Sequence, residues 1–135
     1  MKIAIIGYGR MGSEIERIAK EKGIEVVSTI DPANPSAKYK EIEEKSIRKA
    51  DVCIEFTNPQ SAVENIRKIS SLKKNAVVGT TGWHDRIDEA KSFVKKNGTG
   101  LVYSSNFSIG LNVFLKIVER ASKIMDKFEG YDPYG

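Results

Sequence analysis

The sequence predicts an α/β fold with a doubly wound parallel sheet, and three observations lead to that prediction. Short runs rich in valine and isoleucine alternate with helical patterns along most of the 135 residues, which is typical of β-α-β units. The first apolar run, at residues 3–6, leads directly into closely spaced glycines and then into a helix. Each predicted strand also ends in a polar or glycine-rich segment. Because the carboxyl ends of parallel strands share one edge of a sheet, we expect these segments to form one crevice.

The first turn of the chain has the pattern G-x-G-x-x-G between a strand and a helix. Its residues are Gly7, Tyr8, Gly9, Arg10, Met11 and Gly12. In such a pattern the first glycine permits a sharp turn, the second lets the backbone approach a pyrophosphate, and the third lets the helix pack close to the strand. The helix N-terminus directs its N–H groups and positive dipole end at the phosphates. The pattern predicts a Rossmann-type dinucleotide site, and a glycine-rich turn without a ligand is the alternative.

The helix after this motif and the strand after that helix have clear limits. Met11, Ile15, Ile18 and Lys22 recur at helical spacing and predict the first helix, with Glu14, Glu16 and Arg17 off that stripe. Lys22-Gly23 is a stop signal. Residues 25–30 are rich in valine, threonine and isoleucine and predict the second strand.

An acidic residue follows the second strand at a distance that suggests a function. Asp31 lies 19 residues after Gly12, and an acid at about this distance binds the adenosine ribose hydroxyls in dinucleotide-binding folds. The alternative is a turn aspartate in front of Pro32. Together with the glycine motif, the spacing favours the ribose role.

The middle of the chain continues the alternation of strands and helices. A polar loop is expected at 32–36, a loop with a short helix at 37–50, and a strand at 52–56. A helix follows Asn58-Pro59, with Ala62, Val63, Ile66 and Ile69 on its buried face. The remaining elements are a strand at 76–79, a helix from Asp85 to Asn97-Gly98, and a strand at 101–103.

The last predicted helix is the longest, and its apolar stripe is wide. The stripe comprises Val113, Phe114, Ile117, Val118, Ala121, Ile124, Met125 and Phe128, with Gly130 and Pro133 as end signals. We expect residues 1–108 to form the dinucleotide-binding domain. Residues 109–135 are expected to form a hinge and a long helix. Such an apolar helix predicts self-association through residues 109–128, or packing of the helix onto its own sheet.

Composition excludes several classes of protein. The net charge of +4 comes from lysines interleaved with glutamates, without the basic stripe that binds nucleic acid. Cys53 is the only cysteine, so we expect no disulfide and no metal site. No apolar run reaches membrane-spanning length. We therefore expect a cytoplasmic protein with neither a nucleic-acid partner nor a membrane partner.

The strand ends predict the rest of the cofactor site. Phe56-Thr57, Gly79 to Gly82 and Ser104 to Phe107 follow the third, fourth and fifth strands. Thr80, Thr81, Ser104, Ser105 and Asn106 have side chains that can hydrogen-bond a carboxamide or a carboxylate, and Phe107 could pack on a planar ring. For Thr80 or Ser105 taken singly, a helix-capping role is the alternative. His84, the only histidine, is expected to be a solvated residue at a helix start, so no catalytic residue is predicted.

Four motifs in order give this chain a family resemblance. They are G-Y-G-R-M-G at 7–12, E-F-T-N-P at 55–59, G-T-T-G-W at 79–83 and N-F-S-I-G-L-N at 106–112. Together they resemble 4-hydroxy-tetrahydrodipicolinate reductase, also called dihydrodipicolinate reductase, an enzyme family of lysine and diaminopimelate biosynthesis. The resemblance covers nearly the whole chain.

The resemblance implies an oxidoreductase that transfers a hydride from NADH or NADPH to a cyclic unsaturated dicarboxylate. It implies that residues 7–12 hold the pyrophosphate and that Asp31 holds the adenosine ribose. The nicotinamide end would be lined by Phe56, Thr57, Gly79, Thr80, Thr81, Ser104, Ser105, Asn106 and Phe107. Because Pro32 follows Asp31 where some members carry an arginine, NADH is favoured over NADPH, although Lys38 or Lys40 could reach a 2′-phosphate.

One family signature is not found in these residues. The substrate domain of the family carries E-x-H-H-x-x-K-x-D-x-P-S-G-T-A, with the proton donor and the substrate clamp, and the 135 residues do not contain it. We therefore expect the chain to be the cofactor-binding half, which binds the cofactor without turnover. The resemblance also implies that residues 109–135 begin the substrate or oligomerisation domain. Two alternatives are a non-catalytic nucleotide-sensing module and a different nicotinamide-dependent enzyme whose substrate domain comes from another chain.

Overall fold

The apolar runs and helical patterns form five strands and five α-helices in residues 1–128, the part of the chain that the structure, a computed structural model, describes. The elements are β1 (Lys2–Ile6), α1 (Arg10–Glu21), β2 (Glu25–Ile30), α2 (Glu44–Ile47), β3 (Val52–Glu55), α3 (Pro59–Ser71), β4 (Asn75–Val78), a 3₁₀ turn (His84–Arg86), α4 (Ile87–Asn97), β5 (Leu101–Tyr103) and α5 (Ile109–Met125). The predicted bounds of β2 and β5 are confirmed, whereas β3 and β4 each end one residue earlier than predicted.

The five strands form one parallel sheet in the order β2-β1-β3-β4-β5. This confirms the predicted fold class. The chain moves from β1 to β2 on one side and then returns to place β3 on the other side of β1. The strand order therefore reverses at β1, and in such sheets ligands bind in the crevice beyond the carboxyl ends at that point.

The central strand β1 is buried on both faces of the sheet. Ile3 and Ile5 pack with Ala19 of α1 on one face. Ala4 and Ile6 face the larger core cluster, to which α3 contributes Ala62, Val63, Ile66 and Ile69, the four residues predicted from the sequence to be buried. A strand covered by helices on both sides can be apolar throughout, as β1 is.

The stripe predicted for α1 coincides only in part with the face of the helix that packs on the sheet. Gly12 and Ala19 are buried in α1 and Ile15 is half-buried, whereas Met11 and Ile18 are exposed. The packed face is turned by one residue toward positions 12, 15, 16 and 19, which also recur at helical spacing. Small residues occupy this face because the start of α1 approaches β1 closely.

Local signals at helix ends agree with the structure. Asn58 caps α3 by accepting a hydrogen bond from the Ser61 N–H at 3.0 Å, and Pro59 is the first helical residue. Gly98 ends α4 in the left-handed conformation with φ of 65°. The predicted short helix between residues 37 and 50 is α2.

The chain divides into two units, Met1–Ser105 and a second that begins at Asn106. The boundary predicted after residue 108 stays a prediction. In the second unit, α5 ends at Met125, so the apolar stripe predicted to reach Phe128 continues past the end of the helix. The predicted end signals Gly130 and Pro133 lie outside the described residues. In the part of the chain that is described, no helix combines the length and the apolar character needed to cross a membrane.

Candidate dinucleotide-binding site

A cavity of about 600 Å³ lies in the first unit at the carboxyl ends of β1, β2 and β3. Of the predicted site residues, the structure brings Gly7, Gly9, Asp31, Phe56 and Thr57 together in its wall. Lys40, named from the sequence for its reach to a 2′-phosphate, also lines the cavity. Sequence reasoning missed the rest of the lining, which consists of Ile6, Ile30, Pro32, Ala33, Glu41, Ile42, Asn58, Ser61, Asn65 and Lys68. The cavity therefore lies at the point in the sheet where strand order reverses.

Two glycines of the first loop are required by the protein itself. Gly7 has φ of +87°, and a Cβ there would lie 1.9 Å from the carbonyl oxygen of Phe56. A Cβ at Gly12 would lie 2.2 Å from the carbonyl oxygen of Gly7. These contacts hold the start of α1 against the ends of β1 and β3.

Gly9 differs from these two glycines because nothing in the chain's packing requires it. It precedes α1 with φ of −87°, and a Cβ there would meet no atom within 4 Å. It lines the cavity beside the first N–H groups of α1. The space in front of Gly9 is thus open at a helix N-terminus, where anions bind.

Asp31 is half-buried, and main-chain N–H groups surround its carboxylate. Oδ2 accepts from Tyr8 N–H at 2.9 Å, while Oδ1 accepts from Ala33 N–H at 2.8 Å and Asn34 N–H at 3.1 Å. Burial alone would raise the pKa of Asp31, but these hydrogen bonds and the charge of Lys40 outweigh burial and lower it. Asp31 is therefore an ionised acceptor that links the glycine loop to the loop after β2.

The ammonium groups of two lysines in the loop after β2 donate hydrogen bonds to main-chain carbonyl oxygens. The Lys40 ammonium donates to the carbonyl oxygen of Asn34 at 2.6 Å, and Lys40 lines the cavity. The Lys38 ammonium donates to the carbonyl oxygen of Val27 at 3.3 Å and lies 5.7 Å from the ring centre of Tyr39. Of these two lysines, Lys40 is the one whose charge contributes to the lowered pKa of Asp31.

Four predicted residues of the glycine motif, Tyr8, Arg10, Met11 and Gly12, do not line this cavity. The Tyr8 hydroxyl donates to Glu16, which raises the pKa of Tyr8 and lowers that of Glu16. Arg10 and Met11 form the exposed first turn of α1. Their predicted contact with a cofactor stays a prediction.

Glu55, the last residue of β3, is an acidic site residue that sequence reasoning missed. It is fully buried. Its Oε1 accepts from the Thr57 hydroxyl and from Asn65 Nδ2 at 3.1 Å, and its Oε2 accepts from the Thr80 hydroxyl at 2.7 Å. Burial raises the pKa of Glu55, although the hydrogen bonds oppose that shift. The available signal was a carboxylate at the end of an otherwise apolar strand.

The segments after β4 and β5 lie next along the same edge of the sheet. Thr80 is buried, and besides donating to Glu55 its hydroxyl accepts from Thr57 N–H at 2.7 Å. Its side chain therefore points into the protein. Gly79 lies against the Phe56 ring, Thr81 and Ser105 are exposed, and Ser104 is half-buried.

The aromatic residues after Gly82 pack together. Trp83 is buried and its Nε1 donates to the Thr80 carbonyl oxygen at 2.7 Å. The His84 ring stacks on Trp83 with centres 5.0 Å apart. His84 is exposed at the start of the 3₁₀ turn, which confirms its predicted place at a helix start.

Asn106 and Phe107 belong to the second unit. The Asn106 side chain accepts from Ser108 N–H at 2.7 Å, and Ser108 caps α5 by accepting from Leu111 N–H at 3.3 Å. Asn112 donates to the carbonyl oxygens of Asn106 and Ser108. The N-F-S-I-G-L-N motif thus builds a helix start, and the predicted cofactor contacts of Asn106 and Phe107 stay predictions.

A cluster of metal-binding side chains and a reactive cysteine are both absent from residues 1–128. That range contains no group of three histidine, cysteine, aspartate or glutamate side chains able to hold a metal ion. Cys53 is buried in β3, and burial raises the pKa of its thiol to about 12. It is therefore a protonated core residue at neutral pH.

Comparison with known families decides what this site is related to. The family model described as "Dihydrodipicolinate reductase, N-terminus" matches residues 1–107. The chain belongs to this family. The match covers the whole parallel sheet, the glycine loop and Asp31, so it confirms the resemblance drawn from the four motifs.

Curated relatives carry the family name. The chain is 35% identical over 131 residues to 4-hydroxy-tetrahydrodipicolinate reductase of Christiangramia forsetii, covering 97% of this chain and 52% of the relative. It is 36% identical over 154 residues to the protein of that name from Methanobrevibacter smithii, covering 96% and 56%. The chain therefore spans about half the length of the curated relatives it matches.

Solved structures share the fold. Dipicolinate-bound dihydrodipicolinate reductase from Paenisporosarcina sp. TG-14 matches with a TM-score of 0.73 at 23% identity, over 90% of this chain and 53% of that one. Apo scyllo-inositol dehydrogenase from Lactobacillus casei matches with a TM-score of 0.68 at 11% identity, over 90% and 42%. At these identities the likeness concerns the fold alone.

Proposed function

We propose that this chain is the cofactor-binding part of a dihydrodipicolinate reductase and binds a reduced nicotinamide dinucleotide in the cavity beyond β1, β2 and β3. One observation carries the proposal. The cavity wall contains both the open N-terminus of α1 at Gly9 and the ionised Asp31. These are the two groups that a dinucleotide needs for its pyrophosphate and its adenosine ribose.

The strand order suggests how the cofactor lies. With the ribose hydroxyls on Asp31 at the β2 end and the pyrophosphate at the β1 end, the nicotinamide half extends toward the ends of β3, β4 and β5. That half would meet Phe56, Thr57 and the segment from Gly79 to Thr81. Ser104 and Ser105 follow at the β5 end.

Substitution of Gly9 tests this binding mode. Gly9→Val should leave the unfolding free energy close to that of the wild type, because the backbone angle is ordinary and a Cβ meets no atom within 4 Å. It should abolish the rise of NADH fluorescence on titration, because the side chain fills the pyrophosphate position. Undiminished NADH binding by a folded Gly9→Val protein would refute the proposal.

For the whole protein we propose hydride transfer from the cofactor to a small cyclic dicarboxylate, in lysine and diaminopimelate biosynthesis, with a cytoplasmic location. Family membership supports this reaction. We further propose that the 135 residues by themselves bind the cofactor without turnover, because they hold a single histidine and no H-H-x-x-K signature. A coupled assay with the cyclic substrate should give no steady rate, and a rate near that of an intact reductase would contradict this.

We propose NADH as the preferred cofactor. The ionised Asp31 would repel the 2′-phosphate of NADPH, and Lys38 and Lys40 donate to main-chain oxygens. Calorimetric titration of both cofactors under the same conditions tests this preference. Equal or tighter binding of NADPH would overturn it.

We also propose weak self-association through α5. Phe114 and Val118 are exposed on this helix and Met125 is half-buried, and each buried large apolar side chain contributes roughly 1.5–3 kcal/mol. Sedimentation at low and high protein concentration should show dimers, and Phe114→Asp should remove them. A monomer at every concentration would reject this proposal.

A further inference from the structure

Glu55 joins three segments that are distant in sequence. Its carboxylate receives hydrogen bonds from Thr57 after β3, from Asn65 on α3 and from Thr80 after β4. The Glu55 side chain has no exposed surface. These hydrogen bonds therefore tie the loops after β3 and β4 to α3 below the cavity surface.

The hydrogen bonds around Glu55 have a defined direction. The Thr80 hydroxyl oxygen accepts from Thr57 N–H at 2.7 Å, and the Thr57 hydroxyl oxygen accepts from Asn65 Nδ2 at 3.2 Å. Each hydroxyl is thus held by a nitrogen donor while its own hydrogen points to the carboxylate. A carboxylate, which only accepts, is the group that completes such a set.

The segments that Glu55 ties together meet at the cavity wall. Thr57 lines the cavity. Phe56, beside it, has its carbonyl group against Gly7 and its ring against Gly79, where a Cβ would lie 2.1 Å from the ring. Because the Phe56 ring leaves no room at Gly79, a displacement of the β3 loop on that side is transmitted to the β4 loop.

Fold stability alone does not account for a carboxylate at this position. Removing a carboxylate from water is costly, and apolar residues of similar volume often stabilise a core equally well or better. The other residue of β3 that faces the same core, Cys53, is apolar. The polar cluster occurs only where β3 reaches the cavity.

We propose that Glu55 is a positioning residue for the nicotinamide half of the bound cofactor. It acts through Thr57 and Thr80, which fix the spacing of the β3 and β4 loops, and it does not touch the cofactor itself. This inference rests on the proposed function, since it requires a dinucleotide in the cavity. It also requires that the adenosine half, bound at Asp31 and the glycine loop, be insensitive to Glu55.

Calorimetric titration of Glu55→Gln with two ligands tests this role. ADP-ribose contains the adenosine, the pyrophosphate and the second ribose but lacks the nicotinamide ring. We expect Glu55→Gln to weaken NADH binding about tenfold and to change ADP-ribose binding by less than about twofold, since a misdirected buried hydrogen bond disturbs only the loops it joins. Equal losses for both ligands, or an unchanged NADH affinity, would overturn the inference.

Thr80 provides a conservative pair if Glu55→Gln does not fold. Thr80→Ser keeps the hydroxyl and should bind both ligands like the wild type, whereas Thr80→Val should lose NADH affinity alone. Ser70→Ala is the matched control, because Ser70 is a buried hydroxyl at the far end of α3 that donates to the Phe93 carbonyl oxygen at 3.0 Å. It should lower stability without changing either affinity.

The same titrations separate the two hypotheses. A wild-type chain that binds neither NADH nor ADP-ribose would refute the proposed function, and this inference with it. A wild-type chain that binds both, with a Glu55→Gln variant that also binds both normally, would refute only the role of Glu55.

Discussion

The carboxyl ends of β2 and β3 flank the central strand, and each holds a carboxylate in a different way. Asp31, after β2, is half-buried and accepts from three main-chain N–H groups. Glu55, at the end of β3, is fully buried and accepts from two hydroxyls and one amide side chain. Any residue other than proline can provide a main-chain N–H donor in a turn of the right shape. A side-chain donor, by contrast, requires a particular residue type at each position.

The two environments shift the pKa values of Asp31 and Glu55 in opposite directions. Hydrogen bonds and Lys40 lower the pKa of Asp31 in spite of burial. Burial raises the pKa of Glu55 in spite of its hydrogen bonds. The β2 end is therefore suited to an exposed, charged contact with a ligand. The β3 end is suited to holding loops in place from below.

The largest expected effect concerns the tight packing at the β3 end. Gly7→Ala should lower the free energy of unfolding by about 2–5 kcal/mol, because it combines a left-handed backbone with a clash against the Phe56 carbonyl group. Gly23→Ala is the control, since Gly23 has φ of +68° but open space, and it should cost about 1–2 kcal/mol. Denaturant unfolding measures both free energies. Equal losses in the two variants would mean that the end of β3 moves to accommodate the new Cβ.

A smaller effect should separate the two acids directly. Thr80→Val removes a hydrogen bond to Glu55 in the interior and leaves the Thr57 N–H without its acceptor, so we expect a loss of about 1–3 kcal/mol in unfolding free energy. Asp31→Asn keeps an oxygen acceptor at a half-exposed site that water can reach, so its loss should stay below about 1 kcal/mol. The reverse order of these losses would contradict the comparison.

The opposite pKa shifts predict opposite pH dependences of stability. Glu55 has a raised pKa, so its contribution to folding is complete below its ordinary value of 4.5 and decreases as the pH rises through its folded-state pKa. Asp31 has a lowered pKa, so its contribution is complete above its ordinary value of 3.8 and is lost as the pH falls through its folded-state pKa. Unfolding free energies of the wild type, Glu55→Gln and Asp31→Asn across this range check both signs.

The smallest effect concerns cofactor choice at the β2 end. Lys40→Met keeps the aliphatic stem but removes the charge beside Asp31, so it should weaken NADPH binding more than NADH binding, by a few-fold at a partly screened site. Lys38→Met is the control, because Lys38 lies in the same loop but does not line the cavity. An unchanged ratio of the two affinities would show that Lys40 does not face the 2′-position.

The contrast between the two strand ends also explains what the sequence could predict. Asp31 is found from its distance to the glycine motif, because a fixed β-α-β unit separates them. Glu55 could not be assigned, because its partners Asn65 and Thr80 are 10 and 25 residues away and meet it only in the folded chain. The stripe of α1 was misplaced by one residue for a similar reason, since the contact between Gly12 and Gly7 sets how the helix turns.

The hydrogen bond from Trp83 to the Thr80 carbonyl oxygen gives the protein a built-in optical probe. Trp83 is the only tryptophan, so all indole emission comes from the loop that follows β4. A reduced nicotinamide ring absorbs where tryptophan emits, and its arrival near this loop transfers energy from the indole. Cofactor occupancy and the geometry of the loop after β4 can therefore be followed by Trp83 fluorescence in the unlabelled chain, on the timescale of mixing.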